Sequence, residues 1–127
     1  MGLKTDMTEK RYCIQVLGKN IEVIVIDTGR GINAVIAGGD SLHIGAVSIK
    51  QPGEELVRWE FPGHRDSTVS DRWAAVLSDR YNSAAVVTCG IHYDNISRDQ
   101  IMEVVEALER LLGEITGQEQ AEVKKTI

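Results

Sequence analysis

Cysteine, proline and aromatic residues are all scarce in this chain. Among 127 residues there are 2 Cys and 2 Pro, and Phe, Trp and Tyr together make up 5%. The two cysteines, Cys13 and Cys89, form no C-x-x-C pair. That leaves no zinc ribbon and no thioredoxin-type redox motif. Each sits in an apolar run with strand character, so both are expected to be free, buried thiols acting as small hydrophobes. A disulfide would suit an exported protein, and nothing else points to export. Residues 1–10 are polar and charged, unlike a secretory signal, and Met1-Gly2 is followed by Asp6 rather than the Ser or Thr of a myristoylation site. No apolar run approaches the roughly 18 residues of a membrane span. Positive charge is also short: 14 Lys and Arg stand against 19 Asp and Glu, a net charge of -5. This disfavours nucleic acid and anionic membrane as general partners, while leaving room for a local basic pocket. The expectation is a cytoplasmic protein with no membrane and no nucleic-acid partner. The G-x-G-x-x-G, G-K-[ST] and H-E-x-x-H spacings are absent as well.

What is present is a globular composition, 43% apolar and 26% charged, in a chain of one-domain length. The expected division is a flexible N-terminus over 1–9, one domain over 10–117 and a flexible C-terminus over 118–127. Period-two patterning predicts five strands: 11–17, 21–27, 32–37, 43–50 and 56–61. The turns between them are Gly18-Lys19-Asn20, Thr28–Gly31, Gly38–Ser41 and Gln51–Glu54. The period then lengthens. Val69, Trp73, Val76, Leu77 and Tyr81 mark a helix over 65–81, with Ser67 or Ser70 as its cap. Residues 84–92 form a nearly continuous apolar run, as in a strand covered on both faces. Residues 97–115 form a second helix. Ser97 and Gln100 make a capping box, and Ile101, Val104, Val105, Leu108, Leu111, Leu112 and Ile115 make its apolar stripe. The fold class is α+β: a mainly antiparallel six-stranded sheet with two helices, in the order βββββαβα.

Strand direction then gathers the histidines. The third strand runs up, the fourth down and the fifth up. The first helix returns, and a sixth strand parallel to the fifth runs up again. Three loops thus meet at one edge: Gly39–His43, Pro62–Asp66 and Gly90–Asp94. They carry His43, His64 and His92, every histidine in the chain. Both helices start from this edge, and helix N-termini attract phosphate or carboxylate. Glycines there permit close approach to the backbone. Arg65 opposes the first helix dipole unless an anion or Asp66 relieves it.

Blander roles stand beside these. The histidines are also compatible with plain surface residues, or with a metal site, although their spacing fits no standard zinc motif. Gly38-Gly39-Asp40 is compatible with a simple hairpin turn. Asp94 and Ser97 suit loop and cap roles, and Trp59 and Trp73 suit core or interface positions. Asp66 and Asp94 near a histidine would allow acid–base chemistry, but no catalytic triad is legible.

The strings GGDSLHIGAV, FPGHRD and CGIHYDNIS, in this order, resemble the prenylated-flavin chaperones typified by LpdD, across roughly residues 10–116. The resemblance implies a dimeric fold similar to the proteasome-assembly chaperones. It implies a non-enzymatic role: binding reduced prenylated FMN and helping deliver it to an apo UbiD-type decarboxylase. It also implies cofactor contacts among Gly39, Asp40, His43, Gly63, His64, Arg65, Asp66, His92 and Asp94, with no metal and no catalytic residue. Two other functions remain open at this point. One is a protein-assembly or structural dimer; the other is a small metal-assisted hydrolase or lyase using the three histidines.

Overall fold

A computed structural model describes residues 6–63 and 66–117. The elements run β1 (Thr8–Val16), β2 (Lys19–Asp27), β3 (Gly31–Gly39), β4 (Ala46–Lys50), β5 (Val57–Glu60), α1 (Ser67–Tyr81), β6 (Ala84–His92) and α2 (Arg98–Thr116). The βββββαβα order and the α+β class hold. The flanking segments 1–5 and 118–127 lie outside the described residues, and β1 already begins at Thr8, inside the span read as a tail.

The chain forms two compact units, one up to Asp94 and one from Asn95. The first holds a six-stranded sheet in the order β1-β2-β3-β6-β4-β5. β6 inserts between β3 and β4, parallel to β3 and antiparallel to β4. The other pairs are antiparallel. β5 and β6 therefore run the same way, as expected, but they are not neighbours. β3 and β6 lie side by side and end together, with Gly39 opposite His92.

Register assigns each residue to a face. Ala46, Cys89, Ile36 and Val23 stand in one row across β4, β6, β3 and β2, and all are buried. α1 packs on β4 and β6 and seats Trp73, Ala74 and Leu77 in the core. The other face is more open. It exposes Ile49, Val57 and Trp59, the last at 65%. Burying side chains of this size is worth about 1.5–3 kcal/mol each, so Trp73 belongs to the stability of the unit and Trp59 does not. Cys13 also lies exposed, which corrects the expectation of two buried thiols. β1 is an edge strand, and at Cys13 it turns outward rather than toward the core.

In the second unit, α2 carries the predicted Ser97–Gln100 capping box and ends at Gly117 in a left-handed conformation. Val104, Leu108, Leu111 and Leu112 are its buried stripe, while Ile101 is exposed. Among the described residues, no helix is long and apolar enough to cross a membrane.

Candidate functional site

β3, β5 and β6 all end at one edge, so the loops that follow them meet. The β3–β4 loop starts at Gly39, whose φ of +88° is in the left-handed region. A Cβ at Gly39 would overlap the His92 carbonyl, and that same carbonyl accepts the Asp40 N–H. Glycine is required there on both counts. The chain then lifts off the sheet. A Cβ on Gly90 of β6 would overlap the His43 carbonyl oxygen, so residues 43 and 44 lie directly over Gly90. β4 therefore starts at Ala46 and not at His43, and His43 belongs to the loop.

Where β4 is displaced, the edge of β6 needs another partner. Asp66 supplies it: its Oδ1 accepts the Ile91 N–H at 3.1 Å. Asp66, and not Ser67 or Ser70, is the N-cap residue of α1, and its side chain makes no capping bond. The carboxylate is turned across to β6 instead. Ser67 hydrogen-bonds Glu60, and Ser70 is buried against Ser48 at 2.6 Å. Asp66 Oδ2 stands 3.4 Å from His43 Nε2, an ion-pair distance longer than a good hydrogen bond.

His43 and Asp66 form an inner pair, with side chains 19% and 10% exposed. His92 and Asp94 form an outer pair, joined at 2.9 Å between Nε2 and Oδ1 and open to solvent. The two rings meet edge to face, with centroids 6.1 Å apart. Asp40 Oδ2 accepts the Asp94 N–H at 2.7 Å. That bond, aided by Lys19 at 3.4 Å, holds the Asp40 carboxyl below its ordinary range. Burial pushes the Tyr93 hydroxyl up, and the Asp40 charge adds to the effect.

Of the sequence-predicted residues, Gly39, Asp40, His43, Asp66, His92 and Asp94 converge. Gly63 lies exposed in the β5–α1 loop with a φ of +82°. His64 and Arg65 lie outside the described residues. Lys19 and Tyr93 belong to the site but were not among the predicted residues. Tyr93 Oη donates to the Val16 carbonyl at 2.7 Å. The missed signal was the direction of β2. It runs down from the same edge, so the β1–β2 turn is a fourth loop there. That turn is Leu17-Gly18, both at positive φ, one step earlier than the predicted Gly18–Asn20. Among the described residues, no three His, Cys, Asp or Glu side chains are grouped to hold a metal ion.

Chemically, the edge offers two carboxylate-backed imidazoles, one lysine and closely approachable backbone. Such a set is suited to holding and orienting a polar ligand, and among the described residues no side chain of the edge is placed as an activated nucleophile. Burial and the Asp66 charge push the Cys89 thiol up, away from the reactive thiolate.

A family model described as a prenylated flavin chaperone LpdD-like domain matches residues 15–120. Among solved structures, a chain of a novel chaperone complex for yeast 20S proteasome assembly superposes with a TM-score of 0.58 at 14% identity. The match covers 87% of this chain and 96% of that one. At that identity the likeness concerns the fold. No curated protein sequence matches.

Proposed function

This chain belongs to the LpdD-like prenylated-flavin chaperone family, and from that premise we propose that it binds reduced prenylated FMN as cargo at the three-loop edge and assists its delivery to an apo UbiD-type (de)carboxylase. The observation that carries this reading is the convergence of His43, Asp66, His92, Asp94 and Asp40 at the carboxyl ends of the adjacent parallel strands β3 and β6. Ligands of open α/β sheets favour that position.

The cargo phosphate goes to the N-terminus of α1, which the Asp66 carboxylate leaves uncapped. His64 and Arg65 precede that terminus in sequence and are assigned as further phosphate contacts. The histidine pairs hydrogen-bond the ring system or ribityl chain, and Gly39 and Gly63 permit close approach. A carrier must release what it binds, so an open site with half-exposed His92 suits the task better than a closed cavity. The role is binding and transfer rather than catalysis. A homodimer formed along the β5 edge covers Val57 and Trp59, which otherwise leave an apolar edge strand exposed.

The test is anaerobic titration of the full chain with reduced prenylated FMN. Saturable binding that His43→Ala and His92→Ala weaken at least tenfold supports the reading. No binding under strictly reducing conditions overturns it. Light scattering of wild type and Trp59→Asp tests the dimer: a wild-type dimer that the variant converts to monomer is expected.

A further inference from the structure

The open face of the sheet holds a hollow that none of the site residues above lines. Ile24, Val35 and Ala37 of the sheet face form its floor, and Leu42, Arg11 and Glu22 also line it, together with Tyr12 and Val23. Register explains the grouping. Arg11, Ile24 and Val35 stand in one row across β1, β2 and β3, and Glu22 and Ala37 form the next row. The hollow measures about 140 Å³, well below the roughly 300–1,000 Å³ of a self-sufficient ligand pocket. It is too small for a whole cofactor and has room for one end of a longer ligand.

The three-loop edge adjoins the hollow. Ala37 precedes Gly39 by two residues on the same face, and Gly39 is opposite His92. Leu42 adjoins His43 in the loop that crosses Gly90. Leu42 is 70% exposed, an apolar side chain with nothing laid against its outer side among the described residues.

The polar end has a definite chemistry. Arg11 gives its Nε to Glu9 at 2.7 Å, and its terminal nitrogens extend beyond that bond. The Glu22 side chain makes no hydrogen bond or ion pair among the described residues. A guanidinium donor and a carboxylate acceptor lining the same hollow complement a ring edge with a carbonyl next to an N–H. The aliphatic floor suits the flat face of such a ring. We infer that this hollow is a subsite for the heteroaromatic ring of the cargo, with Arg11 donating to a ring carbonyl, Glu22 accepting a ring N–H and Leu42 closing over the ring face. The inference rests on the proposed function. It extends the edge site onto the open face, with the phosphate end at the loops and the ring end on the sheet.

The experiment is anaerobic titration of the full chain with reduced prenylated FMN and with reduced riboflavin, which lacks the phosphate. Ala37→Leu fills the hollow. Glu22→Ala removes the acceptor at an exposed position that does not threaten the fold. Thermal unfolding confirms that both variants are folded. The expected result is affinity at least tenfold weaker in both variants for each flavin that wild type binds. If wild type binds and both variants bind as tightly, the subsite assignment falls and the proposed function stands. If wild type binds neither flavin, the functional reading falls and takes the subsite with it.

Discussion

Asp66 Oδ1 accepts the Ile91 N–H at 3.1 Å while Oδ2 of the same carboxylate stands 3.4 Å from His43 Nε2. One side chain thus ties the β5–α1 loop to the end of β6 and to the β3–β4 loop. Asp66 is only 9% exposed, so its role is to hold the other groups, and a ligand meets them first. Asp66→Ala leaves the Ile91 N–H without its acceptor and is expected to cost about 1–3 kcal/mol. Asp66→Asn keeps an acceptor and costs less. Urea denaturation measures both, and faster amide exchange at Ile91 in the alanine variant alone identifies the bond.

Gly90→Ala forces a methyl group against the His43 carbonyl and toward the Ile44 Cα at 3.0 Å. Both are backbone, so the loop must move. A loss of about 1–3 kcal/mol is expected, as for other overpacked sites. Flavin affinity should fall with it, because the displaced loop carries His43. Thermal unfolding and anaerobic titration of the one variant check the two effects together.

Ser48 and Ser70 are fully buried between β4 and α1, and the Ser48 hydroxyl also reaches Asp71 at 2.6 Å. Ser48→Ala takes the hydroxyl partner from Ser70 and a donor from Asp71, whereas in Ser70→Ala the Ser48 hydroxyl still donates to Asp71. Ser48→Ala should cost about 1–2 kcal/mol and Ser70→Ala less, and the double variant less than the sum, because both single changes break the same Ser48–Ser70 bond. A double-mutant cycle by chemical denaturation measures the difference.

Asp71 makes stability depend on pH. Burial alone would push its carboxyl up. Hydrogen bonds from Arg58 and Ser48, with the Arg58 charge, outweigh burial and hold it below the ordinary range. The folded state therefore favours the ionised form. The stabilisation is full above the unfolded carboxyl's pKa of about 4 and is lost as pH falls through the lower folded value. Thermal midpoints should drop below about pH 4, and Arg58→Ala should flatten that drop.

The two thiols differ in access. Cys13 is exposed and Cys89 buried, with its thiol pushed up by burial. A thiol reagent should modify one cysteine per native chain at once, and the second only on unfolding. Fast reaction of both would contradict the placement of Cys89.

The sequence by itself determined the element order, because periods of two and 3.6 residues are local properties of the chain. It also determined the α2 capping box, whose partners are three residues apart, and the meeting of three loops, which needs only strand direction. The insertion of β6 between β3 and β4 was decided by tertiary structure, since any order that keeps the directions leaves the local pattern unchanged. The exposure of Cys13 followed from the edge position of β1 and from its register. The same holds for His43. A strand pattern continues through it, yet the chain lifts over Gly90, and Asp66 takes the bond that β4 gives up. The three-loop edge was therefore legible as a place. Its division into an inner His43–Asp66 pair and an exposed His92–Asp94 pair was not: His43 meets Asp66, and Asp40 anchors Asp94, across 23 or more positions of chain.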